Sequence, residues 1–210
     1  VRHNPAHATT DPDAIRDLVR ENPWATIVSS NAGELVASHY PVLPDQESDG
    51  LVLLTHVGRP DEEAHGFGDT QVLVIVQGLH GYVSPSWYGP EATRAPTWNF
   101  SVAHLYGVPQ VLGEEENLAA LTRLVERFES AVETPRYLDQ EWGRQIAKGT
   151  VGLRIPVDRF VCKRKLSQDK DDFSRRQVIA RLRERGPYNH PELADEMERE
   201  WDAELAEERG

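Results

Sequence analysis

The residues best suited to chemistry fall in one stretch. From Gln77 to Tyr88 the chain reads QGLHGYVSPSWY, followed after a short loop by Pro96-Thr97-Trp98-Asn99-Phe100 and then His104. Ser84 and Ser86 flank a proline and can offer hydroxyls and backbone N–H groups to a phosphate. Trp87, Tyr88 and Trp98 offer flat apolar faces with polar edges to an aromatic ring system. A planar, phosphorylated cofactor suits that mixture. The competing reading is a loop pinned by Ser-Pro turns, with the aromatics plugging the end of a barrel.

Four further side chains are candidates. Arg59, at the end of a buried strand, could pair bidentately with a phosphate or carboxylate, or pair with its neighbours Asp61 or Glu62. His56, on the same strand, could ligate heme iron, donate a proton, or serve as a hydrogen-bonded barrel-end histidine. His104 could face the same pocket or pack in its strand. Lys165 could reach an anion across a subunit boundary, or be a solvated member of the basic run 163–165. Cys162 is read as packing.

These residues must be positioned by local structure. Asp11-Pro12 reads as a helix cap and first turn, with Ile15, Leu18 and Val19 on one face and Asn22-Pro23 as the stop. Residues 24–28 and 35–41 read as a hairpin turning at Asn31-Ala32-Gly33. Apolar runs at 51–56 and 72–76 read as buried strands, and residues 99–112 as a long strand pair interrupted at Gly107 and Pro109. Leu118, Leu121, Leu124, Val125 and Phe128 recur at helical spacing, residues 137–146 form a further helix, and residues 151–155 and 159–163 return as strands. Residues 174–185 read as an exposed basic amphipathic helix carrying Val178, Ile179 and Leu182. Leu193, Met197, Trp201 and Leu205 form a stripe on an acidic helical tail, expected to dock on a partner subunit. Few helices among six or seven strands exclude a doubly wound parallel sheet and favour a mostly antiparallel barrel with peripheral helices.

Composition narrows the classes. The chain has 210 residues, with 23 Lys and Arg against 35 Asp and Glu, so its net charge of −12 repels phosphate backbones and anionic lipid. Direct contact with DNA is not expected. One cysteine excludes an intrachain disulfide framework and fits a cytoplasmic location, and no apolar stretch is long enough for a membrane span. The sequence lacks the glycine-rich phosphate loop, the nucleophile elbow, the His-Glu-x-x-His helix and the dinucleotide fingerprint.

The strings YVSPSWY (82–88) and PTWNF (96–100), with His104 and Lys165-Leu166-Ser167-Gln168, resemble the PaiB family of FMN-binding split-barrel proteins. The likeness runs from the opening helix through Gln168. It implies a mainly β (α+β) fold, a six-stranded antiparallel FMN-binding split barrel with peripheral helices over residues 1–168. A charged helical extension would occupy 169–210. It also implies a homodimer with flavin where two protomers meet, and a family often labelled negative transcriptional regulators. Relatives include heme-dependent piperazate-forming enzymes. Under the resemblance Arg59, Ser84 and Ser86 hold phosphate, Trp87, Tyr88 and Trp98 wall the ring, and Asn99 and His104 line the substrate side. His56 and His104 are then the catalytic candidates, and Lys165 is a further cofactor contact. Where many members carry an Asn and a Trp after the His-x-x-Arg segment, this chain keeps His56 and Arg59 but continues Pro60-Asp61-Glu62-Glu63. Piperazate-forming relatives tend to lack the tryptophan present here as Trp87. The expected activity is flavin-dependent redox chemistry on a small molecule, or flavin sensing. The alternatives are a heme enzyme ligated by His56 and a cofactor-free transcriptional regulator.

Overall fold

The computed structural model describes residues 4–89 and 95–207. In chain order the elements are β1 (Ala8–Thr9), α1 (Pro12–Glu21), β2 (Trp24–Asn31), β3 (Glu34–Pro44), β4 (Val52–Gly58), α2 (Arg59–His65), β5 (Val72–Val83), β6 (Thr97–Gly107), β7 (Gln110–Val111), α3 (Glu114–Glu129), α4 (Gln140–Ala147), β8 (Thr150–Pro156), β9 (Arg159–Lys165), α5 (Asp172–Arg183) and α6 (Pro191–Glu207). The strands hydrogen-bond in the order β1-β9-β6-β5-β2-β3-β4-β8-β7. The described residues therefore form nine strands where six were expected. Two of them, β1 and β7, are two-residue ladders, too short to carry a periodic signal.

The chain divides into two units. Unit 1 gathers Val1–Thr10, Gly78–Val102 and Cys162–Gly210; unit 2 gathers Asp11–Gln77 and Ala103–Val161. The expected boundary at residue 168 falls inside unit 1.

In unit 2, the Asp11 carboxylate accepts from the backbone N–H groups of Asp13 and Ala14, and α1 buries Ile15, Leu18 and Val19. The β2–β3 hairpin turns through Ala32 and Gly33, both at positive φ (51° and 87°), the geometry of a two-residue turn that matches strand twist. Strand β3 pairs with β2 as far as Pro41 and with β4 from Val42 onward, so one strand serves two ladders. Strand β4 then pairs with β8 along its whole length. Asp45, just beyond β3, has its side chain sealed from solvent. It accepts from Ser48, from Arg123 of α3 at 2.8 Å and from Arg154 of β8 at 3.0 Å. Burial pushes this carboxyl up, but the bonds from Arg123, Ser48 and Arg154 outweigh it and pull the pKa down to about 2.

The β2–β3–β5 faces differ. Ile27, its partner Val74, Ala25 and Val76 are buried. The opposite face carries Val28, Leu73, Ile75 and Ala37, together with Trp24 (64% exposed) and Leu35 (82% exposed).

Strand β5 runs from unit 2 into unit 1, and its buried positions change parity. Positions 72, 74, 76 and 78 are buried, then 81 and 83, as one extra residue in a strand would cause. The C-terminal helices complete the core of unit 1. Val178, Ile179 and Leu182 of α5 and Leu193, Met197 and Trp201 of α6 pack with Val83, Tyr88 and Leu166. Each such side chain contributes roughly 1.5–3 kcal/mol by leaving water. The apolar positions expected on α5, Val178, Ile179 and Leu182, are the ones it buries. One expectation is corrected: the α6 stripe is met by this chain's own residues rather than awaiting a partner. The Arg-Glu pattern is what disguised the packing. Arg175, 4% exposed, bonds Glu204 at 2.6 Å with its guanidinium 4.8 Å over the Trp201 ring, and Arg183 bridges Asp195 and Glu198. Two of the four arginines of α5, Arg175 and Arg183, are matched by acids of α6, while Arg181 pairs with Glu184 and Arg176 lies over the Trp201 ring.

Candidate functional site

Strand β5 delivers His80 and Tyr82 to one face, and the chain then turns. The Ser84 hydroxyl accepts from the Ser86 N–H at 3.3 Å and lies 2.9 Å from the Ser86 hydroxyl, while the Ser84 carbonyl accepts from the Trp87 N–H. Pro85 presets the first position, giving a tight 3-10 turn over Pro85–Tyr88. The turn separates its two aromatics. Tyr88, 5% exposed, points into the unit 1 core, whereas Trp87 lies against Tyr82.

Tyr82 is the centre of an aromatic surface. Its ring centroid lies 4.9 Å from Tyr188, 6.1 Å from Trp98 and 6.4 Å from Trp87, and His80 stacks at 6.3 Å on Trp98. Trp98 is 52% and Tyr188 50% exposed, so flat faces are open to solvent beside two serine hydroxyls.

Strand geometry divides the next pair of candidates. On β6 the even positions from Trp98 to Tyr106 are half-buried or exposed, and the odd positions are buried. Trp98 therefore joins the open wall while Asn99 turns inward, where its amide donates to Ser167 Oγ at 2.9 Å and Met197 Sδ at 3.4 Å. Asn99 fixes the strand to the unit 1 core rather than lining a ligand surface. Lys165 donates to Thr97 Oγ1 and, at 2.9 Å, to the Trp98 carbonyl. Burial lowers its pKa. It is neither solvated nor extended; it holds the residue that presents Trp98.

The remaining candidates belong to unit 2. Arg59 is not a strand end; it opens α2, where Pro60, Asp61 and Glu62 supply a first-turn proline and acids. Its Nε donates to the Lys148 carbonyl at 2.7 Å, its Nη1 lies 3.7 Å from Glu62, and it lines a cavity of about 320 Å³ with Arg144, Lys148, Glu62 and Glu114. No aromatic residue lines that cavity among the described residues. His56 meets the edge of Tyr40, whose hydroxyl donates to Asp61 and accepts from the Gly58 N–H. His56 Nδ1 is buried without a hydrogen-bond partner among the described residues, and burial lowers its pKa. His104 is half-buried on β6, its pKa also lowered by burial.

Beside this lies a site the sequence reading missed. His65, 1% exposed, bridges Ser29 Oγ at 2.8 Å and Ser38 Oγ at 3.0 Å, pinning α2 to β2 and β3. Burial lowers its pKa. Tyr188 is the other omission. It sits in a charged segment between two helices, with no motif around it, and only folding brings it to Tyr82. Cys162 is packing, as expected; burial pushes its thiol up to about 11.

Among the described residues no group of three or more His, Cys, Asp or Glu side chains could hold a metal ion, and no helix is long and apolar enough to cross a membrane.

The unit 1 wall combines exposed ring faces with two serine hydroxyls bonded within their own turn, whereas no aromatic residue lines the unit 2 cavity among the described residues. Residues 2–159 match the family described as "Putative FMN-binding domain". The chain is 30% identical over 193 residues to the protease synthase and sporulation protein PAI 2 of Bacillus subtilis, covering 90% of this chain and 92% of that one. It is also similar, at 26% identity over 83% of its length, to an uncharacterised protein of Emericella nidulans that it covers to 87%. Among solved structures, the flavocytochrome Anf3 of Azotobacter vinelandii aligns with a TM-score of 0.60 at 15% identity, over 78% of this chain and 72% of that one. The FAD- and heme-binding protein of Mycobacterium smegmatis aligns at 0.58 and 19%, over 76% and 73%. These likenesses bear out the mainly antiparallel split-barrel class with peripheral helices. By its family match and its identity to PAI 2, this chain belongs to the PaiB-type FMN-binding-domain family.

Proposed function

We propose that the protein is a cytoplasmic homodimeric flavoprotein that holds FMN on the aromatic wall of unit 1 and uses it in a redox step on a small molecule. The observation that carries this reading is the ring cluster of Tyr82, Trp87, Trp98 and Tyr188, in which Trp98 and Tyr188 are half-exposed, near the Ser84–Ser86 turn. Two large rings left open to water on a partly buried aromatic base suit a flat partner. Bound FMN would supply the electron-accepting chemistry, which no side chain here provides.

The protein's own residues then have defined tasks. Trp98 and Trp87 cover ring faces and exclude water. Ser84 and Ser86 offer hydroxyls to a phosphate, and Lys165 keeps Trp98 in place from behind. In unit 2, Arg59 is a candidate ligand for a separate anion; among the described residues its guanidinium has Glu62 as its carboxylate partner, at 3.7 Å. Half-buried His104, which the family resemblance puts on the substrate side, is the candidate for moving a proton, because burial lowers its pKa and favours the neutral, proton-accepting imidazole. The apolar face bearing Trp24, Val28, Leu35 and Ile75 suits a second copy of the chain.

A second reading is heme binding, favoured by the unpartnered, neutral imidazole of His56. Direct DNA recognition is disfavoured by the net charge of −12. The absorption spectrum of freshly purified full-length protein, then of protein reconstituted with FMN or with hemin, tests the readings. A flavin spectrum retained through gel filtration, with light scattering at twice the chain mass, supports the first. A Soret band that His56→Ala abolishes, with no FMN uptake, replaces it with the second. Promoter binding by colourless protein would overturn both.

A further inference from the structure

The family match ends at residue 159, yet the aromatic wall does not. One of its faces comes from the turn between α5 and α6. Tyr188 is the nearest ring to Tyr82, at 4.9 Å and a 41° tilt, and lies 6.4 Å from Trp87 at 65°. It is half-exposed, so core packing does not account for the placement of its ring.

The hairpin that carries it is fixed from both sides. The Leu182 carbonyl accepts from the His190 N–H at 2.7 Å, and Asn189 Nδ2 donates to the carbonyls of Leu182 and Glu184. Those bonds close the turn that holds Tyr188. Below it, Leu193 Cδ2 lies 2.7 Å from where a Cβ on Gly81 would stand, so the glycine one residue before Tyr82 lets α6 approach β5 closely. Among the described residues five carboxylate-guanidinium contacts then lock α6: Arg164 with Glu196 and Glu200, Arg175 with Glu204, and Arg183 with Asp195 and Glu198. All this ordering presents one tyrosine at the edge of the wall.

We propose that Tyr188 is a ring-contacting residue of the flavin site, so that the C-terminal helical hairpin is a functional part of the cofactor-binding surface. This rests on the reading of the wall as the FMN site. Tyr188 extends the surface formed by Tyr82, Trp87 and Trp98 and adds an aromatic contact to one ligand, the isoalloxazine ring of FMN. Its rigid ring makes that contact at low conformational cost, and its value lies in the ring rather than the hydroxyl.

The test is fluorescence titration of full-length wild type, Tyr188→Phe, Tyr188→Ala and Trp98→Ala with FMN, alongside the melting temperature of each apoprotein. The expected result is a Kd within about twofold of wild type for Tyr188→Phe and roughly five- to tenfold weaker for Tyr188→Ala, the scale of one aromatic contact. Apoprotein melting should be unchanged in both, because the side chain is half-exposed. Equal Kd for wild type and Tyr188→Ala, while Trp98→Ala binds weakly, overturns the role of Tyr188 and leaves the wall standing. A loss of affinity in Tyr188→Ala that tracks a lowered melting temperature marks a purely structural tyrosine and also overturns it. No FMN binding by wild type removes the wall reading and this inference together.

Discussion

The wall around Tyr82 and the cluster around His65 are built from similar residues and do opposite things. Around His65 the polar atoms spend their bonds on one another. The imidazole bridges two serines, Tyr40 is held between Asp61 and Gly58, and Arg59 is tied to the Lys148 carbonyl. Around Tyr82 the rings meet edge to face and stay half-open, with serine hydroxyls bonded only within their own turn. A histidine, serine or arginine in a suggestive spacing is therefore not yet a site. What separates the regions is whether bonding capacity and ring surface are left over after folding.

The largest expected effect tests the closed region. His65→Ala should cost about 3 kcal/mol of unfolding free energy in urea titration, since it removes the imidazole bridge between Ser29 and Ser38 and opens a cavity. FMN affinity at low temperature should stay within twofold. A parallel loss of affinity without loss of stability would erase the division between the regions. Next, Trp98→Ala should weaken FMN binding at least about tenfold, or roughly 1.4 kcal/mol, while shifting stability by less than about 0.5 kcal/mol, because the ring is largely exposed. Its neighbour sharpens the contrast. Asn99→Ala should lower stability by about 1–2 kcal/mol, through its lost bonds to Ser167 and Met197, with little change in Kd.

Acid should also act unequally. Burial lowers the pKa of His65 and His56 below the ordinary 6.5. The unfolded chain therefore binds these protons first. Their contribution is fully present above pH 6.5 and is lost as pH falls toward the depressed folded values. Melting temperature measured between pH 8 and 5 should decline below about 6.5, and His65→Gln should flatten that decline. Asp45, held at about 2 against an ordinary 3.8, supplies stability present above pH 4 and lost only near pH 2, so it does not contribute to the same window. The smallest effect separates two cations. Lys165→Ala should weaken FMN binding by no more than about twofold, through a loosened Trp98, while Arg59→Ala, in the closed region of the other unit, should leave it unchanged.

Much of the fold was legible because its signals are local. Asp11-Pro12 announces α1, the Asn31-Ala32-Gly33 turn announces the hairpin, and the leucine spacing after Glu114 announces α3. Helix α2 was legible too, in Pro60-Asp61-Glu62, but reading Arg59 as a strand end passed over it. The site was half legible. Residue type and density pointed to Trp87, Trp98, Ser84 and Ser86. Period-two geometry alone would have placed Trp98 and Asn99 on opposite faces, and the Ser-Pro turn sends Tyr88 inward while Trp87 stays at the wall. Tyr188 and the His65 bridge were not legible, because each depends on residues more than 25 positions apart that only the folded chain brings together.

The central claim is that the open aromatic wall takes a flavin ring. Stoichiometric titration of the purified apoprotein with FMN, following quenching of tryptophan emission, tests it most directly. The account predicts saturation at one FMN per chain, with quenching that Trp98→Ala weakens and His65→Gln leaves intact. Absence of saturable quenching in the wild type, or an unchanged curve in Trp98→Ala, would contradict it.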